Sequence, residues 1–205
     1  ATGQAAIGPN ATDQRGIART GEFWIGAAQQ ALRDGLAGWP KDDVESFIDR
    51  HYPNYWLRID TPAAIEHAKL LRSAAESGKK LATSVKTDAF TAITELTVFA
   101  PNHPRLLALF AGACAAAGAN IAGALITTTR DGYALDTFLL NRGFPDDEDE
   151  LRRARRIGDT IDQLLMGKDR LANLLQKRRG TDRSNRAFPV EPEVIISNSL
   201  SERLT

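Results

Sequence analysis

Three histidines and one cysteine are the side chains of this sequence best suited to proton transfer, metal binding or nucleophilic attack. His51, His67 and His103 are scattered along the chain, and their spacing matches no metal-binding motif. Cys114 lies among alanines in a predicted helix, where we expect a small buried side chain rather than a reactive thiol. We therefore expect each histidine to be a surface or capping residue rather than a catalyst, and the thiol fits a reducing, cytoplasmic compartment.

Clusters of charge are a second group of candidates. The acidic run at residues 146–150 could bind a metal ion, but it opens a predicted helix, where negative charge stabilises the positive end of the helix dipole. The basic residues within 152–156 and 177–179 could contact phosphates, yet they also fit the solvated side of an amphipathic helix. We interpret both kinds of cluster as structural.

Sequence motifs of enzyme active sites are missing. Gly78-Lys79-Lys80 lacks both the earlier glycine and the Ser or Thr of a P-loop, and no Gly-x-Ser-x-Gly occurs. A Gly-Ser followed by Asp-x-Asp is absent, as is a His-Asp pair. We therefore predict that the chain carries no catalytic residue, metal or cofactor of its own.

Composition indicates an ordinary soluble protein. With 205 residues and 42% hydrophobic content, the chain can form one domain with a smaller attachment. Lys plus Arg and Asp plus Glu both number 26, so the net charge indicates neither nucleic acid nor membrane as a partner. No apolar run approaches the roughly 20 residues that span a bilayer.

The clearest local pattern lies in residues 94–142. Residues 95–100 form a predicted strand, and prolines at 101 and 104 then force a turn into a helix with an apolar stripe. Residues 121–128 and 133–140 read as two strands joined by a turn containing Asp131-Gly132, a strong hairpin signal. This β-α-β-β order is three quarters of a ferredoxin-like βαββαβ unit.

The flanking residues extend this unit. Helices are predicted over 22–36, 42–50 and 61–78, a strand over 80–86 beside the first strand of the unit, and a long helix from residue 146 with a possible break at Gly167. A closing strand over 190–197 contains or adjoins two prolines, which marks it as an edge. The central strands are apolar on both faces, so the N-terminal helices or a second copy should cover the face that the unit's own helices leave open.

Four motifs lie in this unit: Thr94-Glu95-Leu96-Thr97-Val98-Phe99, Pro101-Asn102-His103-Pro104, Ala117-Gly118-Ala119-Asn120-Ile121 and Ala134-Leu135-Asp136-Thr137-Phe138. They resemble the regulatory ACT domain, and more closely the first ACT domain of the bacterial PII uridylyltransferase/uridylyl-removing enzymes. The resemblance extends over most of the chain beyond about residue 27. It implies an α+β fold: a ferredoxin-like ACT domain with an extra edge strand, preceded by an all-helical segment.

The resemblance also implies a division of the chain into segments. Residues 1–21 are expected to be a disordered tail, 22–78 a helical segment that ends or follows an HD domain, and 79–198 the ACT domain. Residues 199–205 resemble the start of a second ACT repeat, since Glu202-Arg203-Leu204-Thr205 is similar to the opening of the first strand. We therefore expect the chain to be a fragment of a longer protein.

Enzymes of this family transfer UMP from UTP to the PII signal protein with Mg and remove it again, and they respond to glutamine as a measure of nitrogen status. The resemblance implies a regulatory role for this chain within such an enzyme, with PII as the partner of the parent enzyme. Glutamine would bind at an interface between two ACT units, formed with a second ACT domain or with the chain's own copy. The implied ligand-binding residues are Asn102, His103, Pro104, Arg105, Leu106, Ala119, Asn120 and Ile121.

Two positions in this candidate site differ from the family pattern Asp-x-Pro-Gly-Leu. Asn102 can cap a helix but lacks the charge that would pair with a ligand ammonium. Arg105 places a long side chain where glycine would let a ligand approach the backbone. Three alternatives therefore stay open: an ACT domain that only packs and transmits, an oligomerisation module using the sheet edge at residues 80–85, and an RNA-binding domain of the RRM type.

Overall fold

The computed structural model describes residues 11–181 and places the side chains of residues 21–177. Four helices come first: α1 Ala11–Gly35, α2 Lys41–Arg50, α3 Pro53–Trp56 and α4 Thr61–Glu76. Helix α1 begins at Ala11, so the tail expected over residues 1–21 is wrong from residue 11 onward. Extending an existing helix by one residue costs far less free energy than forming its first turn, so polar residues without an apolar stripe can continue a helix.

A four-stranded antiparallel sheet follows, and three further helices connect or follow its strands. The elements are β1 Ala82–Asp88, β2 Ile93–Pro101, α5 Leu106–Ala116, β3 Ile121–Leu125, β4 Tyr133–Asn141, α6 Asp147–Leu165 and α7 Leu171–Thr181. The strand order is β1-β2-β4-β3. From β2 onward the order βαββα is the predicted one, and β1 is the predicted extra strand, paired antiparallel with β2. The closing strand predicted over 190–197 lies outside the described residues.

Two hydrophobic cores cover the two faces of the sheet. Helices α1–α4 pack on the face that includes Phe99 and Leu135, while α5 and α6 pack on the face that includes Val98 and Phe138. This arrangement confirms that the N-terminal helices cover the face left open by the helices of the ACT-like unit. The boundary predicted at residue 78 thus lies between helix α4 and strand β1, but the helical segment and the sheet share one hydrophobic core.

Caps and turns fix the ends of these elements. Asp60 caps α4 by accepting a hydrogen bond from Ala63 N–H at 2.8 Å, and Asp146 caps α6 by accepting from Glu148 and Asp149 N–H. Gly132 closes the β3–β4 hairpin with a φ of +82°, which glycine adopts without strain. Gly167, with a φ of +68°, provides the predicted break between α6 and α7.

A buried ionic network holds α6 against β2. Glu150 is fully buried and accepts hydrogen bonds from Thr94 Oγ1 at 2.8 Å and Gly143 N–H at 3.0 Å, and it pairs with the Arg153 guanidinium. Burial raises the pKa of Glu150, but the bonds from Thr94 and Gly143 and the charge of Arg153 outweigh burial and hold that pKa below its ordinary value. One carboxylate of the acidic run therefore anchors a helix inside the core, beyond its effect on the helix dipole.

Candidate functional site

The loop between β2 and α5 contains the first half of the predicted ligand site. The His103 carbonyl accepts from Leu106 N–H at 3.1 Å, and Arg105 has φ +76° and ψ 1°. These values describe a type II turn with Pro104 at its second position and Arg105 at its third, a position that favours glycine. The helix therefore begins at Leu106, two residues later than Pro104 predicted, because the turn must close first.

Asn102 does not cap this helix. The residue preceding α5 is Arg105, and no side chain accepts a hydrogen bond from the first turn. The backbone N–H of Asn102 instead donates to the carbonyl of Gly132 at 3.0 Å, which joins the loop to the β3–β4 hairpin. Backbone N–H groups in the first turn of a helix are suited to bind a carboxylate, and no side-chain cap occupies this end of α5. The exposed Arg105 side chain adds a positive charge at the same end of the helix.

The second half of the predicted site lies far from the first. Residues 119–121 follow the C-terminal end of α5, and an 11-residue helix is about 16 Å long. The sheet register also places the two halves at opposite ends of β4. Pro101 pairs with Tyr133 at one end, and the Asn120 carbonyl accepts a hydrogen bond from Asn141 N–H at the other end. A single chain therefore does not bring the two halves together around one small ligand, and a shared site needs a second ACT unit.

The tip of the β3–β4 hairpin is held against the end of α2. Arg130 donates from its backbone N–H to the Arg50 carbonyl at 2.8 Å and from Nε to the His51 carbonyl at 3.3 Å. Its guanidinium lies 4.8 Å from the ring centre of Tyr52, and Arg50 forms an ion pair with Asp131 at 3.2 Å. We call these five residues the hairpin clamp. It connects the ACT-like unit to the helical segment.

Sequence reasoning did not find the hairpin clamp. The sequence pattern indicates only a turn at Arg130 and Asp131, and only a helix end and the start of an aromatic cluster at residues 50–52. The relevant contacts join residues about 80 positions apart, and three of the four involve backbone carbonyls or ring faces. A pair of opposite charges beside a Gly turn was the sole signal in the sequence.

A chain of buried polar side chains lies between the helices and the sheet. The His51 ring stacks on Tyr55 at 3.8 Å, the Tyr55 hydroxyl bonds to His67 Nδ1 at 2.9 Å, and His67 Nε2 lies 3.4 Å from Thr137 Oγ1. Burial lowers the pKa of His51 to about 3 and that of His67 to about 4, so both rings are neutral at pH 7. Both ring nitrogens of His51 lack a hydrogen-bond partner within the described part of the chain. His51 and His67 are thus core residues, and the prediction that they are surface or capping residues is wrong for both.

Asp136, in the middle of one of the four motifs, is a buried carboxylate on the other face of the sheet. It is 2% exposed and accepts a hydrogen bond from Thr127 N–H at 3.2 Å, and it forms no ion pair with any side chain described here. Burial raises its pKa to about 6, although the bond from Thr127 opposes this rise. Cys114 in the same core is buried, as predicted, and burial raises the pKa of its thiol to about 11.

A groove of about 840 Å³ lies between the ends of α4 and α6, next to the start of β1. The end of α4 forms one wall with Leu70 and Ala74, and the end of α6 forms the other with Asp162 and Met166. Lys79 and Lys80 line the groove next to the start of β1, and Pro101 at the end of β2 and His103 of the candidate loop also line it.

Other kinds of site find less support in residues 11–181. No group of three or more His, Cys, Asp or Glu side chains there is arranged to hold a metal ion. No helix in the same range is long and apolar enough to cross a membrane. An RRM binds RNA on an open sheet face, but here helices α1–α4 cover that face, with Phe99 and Leu135 buried beneath them.

Comparison with known proteins relates the chain to one kind of enzyme. It is 50% identical over 181 residues to a bifunctional uridylyltransferase/uridylyl-removing enzyme of Bradyrhizobium sp. (strain ORS 278), and this match covers 88% of the chain and 19% of the relative. The enzyme of the same name from Rhodopseudomonas palustris is 49% identical over 183 residues, which are 88% of the chain and 20% of the relative. No family model matches the chain. The chain spans about one fifth of the length of these curated relatives. It is therefore a homologue of a segment of the bifunctional uridylyltransferase/uridylyl-removing enzymes.

Proposed function

We propose that the chain is the regulatory, glutamine-sensing ACT segment of a bifunctional enzyme that uridylylates and deuridylylates the PII signal protein in the cytoplasm. The two activities of the similar enzymes from Bradyrhizobium and Rhodopseudomonas support the two activities proposed for the whole enzyme. Catalysis, with UTP and Mg, belongs in this proposal to other parts of the longer protein, and the segment contributes control of nitrogen metabolism.

The proposed effector site uses the loop at residues 102–106 of one ACT unit and residues 119–121 of another. The backbone N–H groups at the start of α5 can receive the ligand carboxylate, and Arg105 can add its charge. The second unit is a second ACT domain or a second copy of this chain, because the two halves lie at opposite ends of α5. The ammonium partner that an aspartate at position 102 would provide must then come from the other unit.

The observation that carries the proposal is the continuous contact from this loop to the helical segment. Asn102 is bonded to Gly132, and the adjoining Arg130 and Asp131 hold the end of α2. A ligand can change the activity of a distant domain only if it favours one arrangement of elements over another. A ligand that orders the loop would favour one position of the β3–β4 hairpin, and the hairpin clamp would couple that position to the end of α2.

Calorimetric titration with glutamine tests this proposal, with glutamate and UTP as controls. We expect saturable heat with glutamine alone, and we expect the variant Arg105→Glu to weaken binding at least tenfold by reversing the charge beside the carboxylate. Lys41→Glu makes the same charge change at an exposed residue at the start of α2, outside the candidate site. Absence of heat with folded protein, over a range of protein concentrations that includes any dimer, would refute glutamine binding by this segment.

A second candidate function is an oligomerisation module without a ligand. The edge of β1 away from β2 pairs with no other strand in the described range, and a free edge can pair with a second copy. Sedimentation velocity distinguishes the two proposals. A stable dimer that shows no response to glutamine would favour the module, whereas a glutamine-dependent change in mass would favour sensing.

A further inference from the structure

A cavity of about 340 Å³ lies where the hairpin clamp meets the helical segment. Helices α1, α2 and α3 and the tip of the β3–β4 hairpin enclose it. A cavity of about 150 Å³ holds a benzene molecule, so this one has room for a ligand of roughly twelve non-hydrogen atoms or fewer. Apolar side chains form part of its wall, and Gln29, Asp49, His51 and Arg130 supply polar groups. We call this space the clamp cavity.

His51 is the residue that points to a ligand. It is 3% exposed, and neither of its ring nitrogens forms a hydrogen bond with any residue that the structure describes. A neutral imidazole has one N–H donor and one acceptor, and each buried polar atom without a partner costs about 1–3 kcal/mol. Its ring packs against Phe47 and Tyr55 on other sides. The clamp cavity is the space next to His51 that can hold a polar partner.

Arg130 and Asp49 bring opposite charges to the clamp cavity. The Arg130 guanidinium uses Nε to bind the His51 carbonyl at 3.3 Å, and its two terminal amino groups form no hydrogen bond with a described residue. They can donate to the two oxygens of a carboxylate. The Asp49 carboxylate accepts no hydrogen bond within the described range either, so it can accept one from a donor group on the same ligand.

We propose that the clamp cavity binds a small carboxylate whose adjacent carbon carries a hydrogen-bond donor, either a hydroxyl or an ammonium group. Arg130 binds the carboxylate, Asp49 accepts from the donor group, and a ring nitrogen of His51 gains a polar partner. The site goes beyond the proposed effector site, because one chain supplies all of its residues and none of them belongs to 102–106 or 119–121. Its ligand would join the end of α2 to the hairpin tip.

Three molecules of nearly equal size test the proposal. L-lactate carries a hydroxyl group on the adjacent carbon, L-alanine carries an ammonium group, and propionate carries neither. Each is titrated into the full chain at pH 7 while NMR records the isotope-labelled ring nitrogens of the three histidines. We expect L-lactate or L-alanine to shift the His51 signals saturably and to bind at least tenfold more tightly than propionate. The tighter of the two identifies the donor group.

The signals of His103 separate this site from the proposed effector site, because His103 lies in the loop at residues 102–106. We expect them to stay unchanged while the His51 signals shift. Asp49→Ala should remove the preference over propionate, since propionate has no group for Asp49 to bind. Asp49 is exposed at the end of α2, so this replacement leaves the core intact.

Two arginines of the hairpin clamp provide matched variants. Arg130→Gln removes the guanidinium that lines the clamp cavity, whereas Arg50→Gln removes one that does not line it. We expect Arg130→Gln to weaken binding of the tighter ligand at least tenfold and Arg50→Gln to change it by less than about twofold. In folded protein, unshifted His51 signals with all three molecules would overturn the proposal. Equal affinity for propionate, or equal weakening by the two arginine variants, would overturn it as well.

Discussion

Replacing Asp136 by asparagine should stabilise the protein at neutral pH. The asparagine keeps an oxygen that can accept the hydrogen bond from Thr127 N–H, and it removes a negative charge that no described cation neutralises. Burial raises the Asp136 pKa from its ordinary value of 3.8 to about 6. At about 1.36 kcal/mol per pKa unit, keeping this buried carboxylate ionised costs about 3 kcal/mol of folding free energy.

The stabilisation by Asp136→Asn should increase as the pH rises. A folded-state pKa above the unfolded one means that Asp136 favours folding most below about pH 4, and that this contribution is lost as the pH rises through about 6. The advantage of Asp136→Asn should therefore be smallest at pH 4 and grow to about 3 kcal/mol at pH 8. A constant offset from the amide group does not change this slope.

Urea unfolding at pH 4, 5, 6, 7 and 8 measures the difference between variant and parent. Asp159→Asn is the matched control, because it makes the same replacement at an exposed position of α6. Contributions of the histidines cancel in each difference. An Asp136→Asn advantage that does not increase between pH 4 and pH 8, or a loss of stability at pH 8, would refute the reasoning from burial.

Four further predictions concern the core, the loop, the clamp and the histidines. Glu150→Gln should lower the free energy of unfolding by about 3–5 kcal/mol, since it leaves a buried arginine unpaired, and a loss below 1 kcal/mol in urea unfolding would contradict this. Arg105→Gly should change the free energy of unfolding by no more than about 1 kcal/mol. Glycine adopts the positive φ of this position without strain, but it also gains conformational entropy in the unfolded chain, and the two effects oppose each other. A larger loss of stability in calorimetry would show that the Arg105 side chain helps to hold the fold. Arg130→Ala should cost about 1 kcal/mol and speed amide exchange at the end of α2, and unchanged exchange there would speak against the clamp. Because burial lowers the pKa values of His51 and His67, the two neutral rings contribute fully to stability above about pH 6.5, and this contribution is lost as the pH falls toward about 4 for His67 and about 3 for His51. The double variant His51→Phe, His67→Gln should therefore show a weaker dependence of the urea midpoint on pH in this range. An unchanged dependence would refute the assignment of both rings as buried and neutral.

Local patterns predicted most of the sheet and its turns. The alternation of apolar residues located the strands within two residues, except that β3 ends at Leu125 rather than at 128, and Asp131-Gly132 predicted the hairpin. Apolar residues on both faces of β2 and β4 predicted that helices cover both faces. These features depend on neighbours along the chain or on one face of a strand, so a single sequence contains them.

The remaining features depend on contacts between distant residues. The start of α5 shifted to Leu106 because a type II turn places Arg105 in the left-handed region, which an arginine rarely adopts. In the sequence Glu150 is one of five similar acidic residues, and only the approach of α6 to Thr94 distinguishes it. The candidate ligand residues were grouped by family resemblance, but α5 separates them into two ends of the sheet.

The most direct test of the account is amide hydrogen exchange with and without saturating glutamine, in the parent chain and in Arg130→Ala. We predict that glutamine slows exchange in residues 102–106, in the hairpin tip at 129–132 and at the end of α2, and that Arg130→Ala keeps the first effect while losing the last. Glutamine-independent exchange at all three places in a folded sample would contradict sensing by this segment. An effect on α2 that persists in Arg130→Ala would contradict transmission through the hairpin clamp.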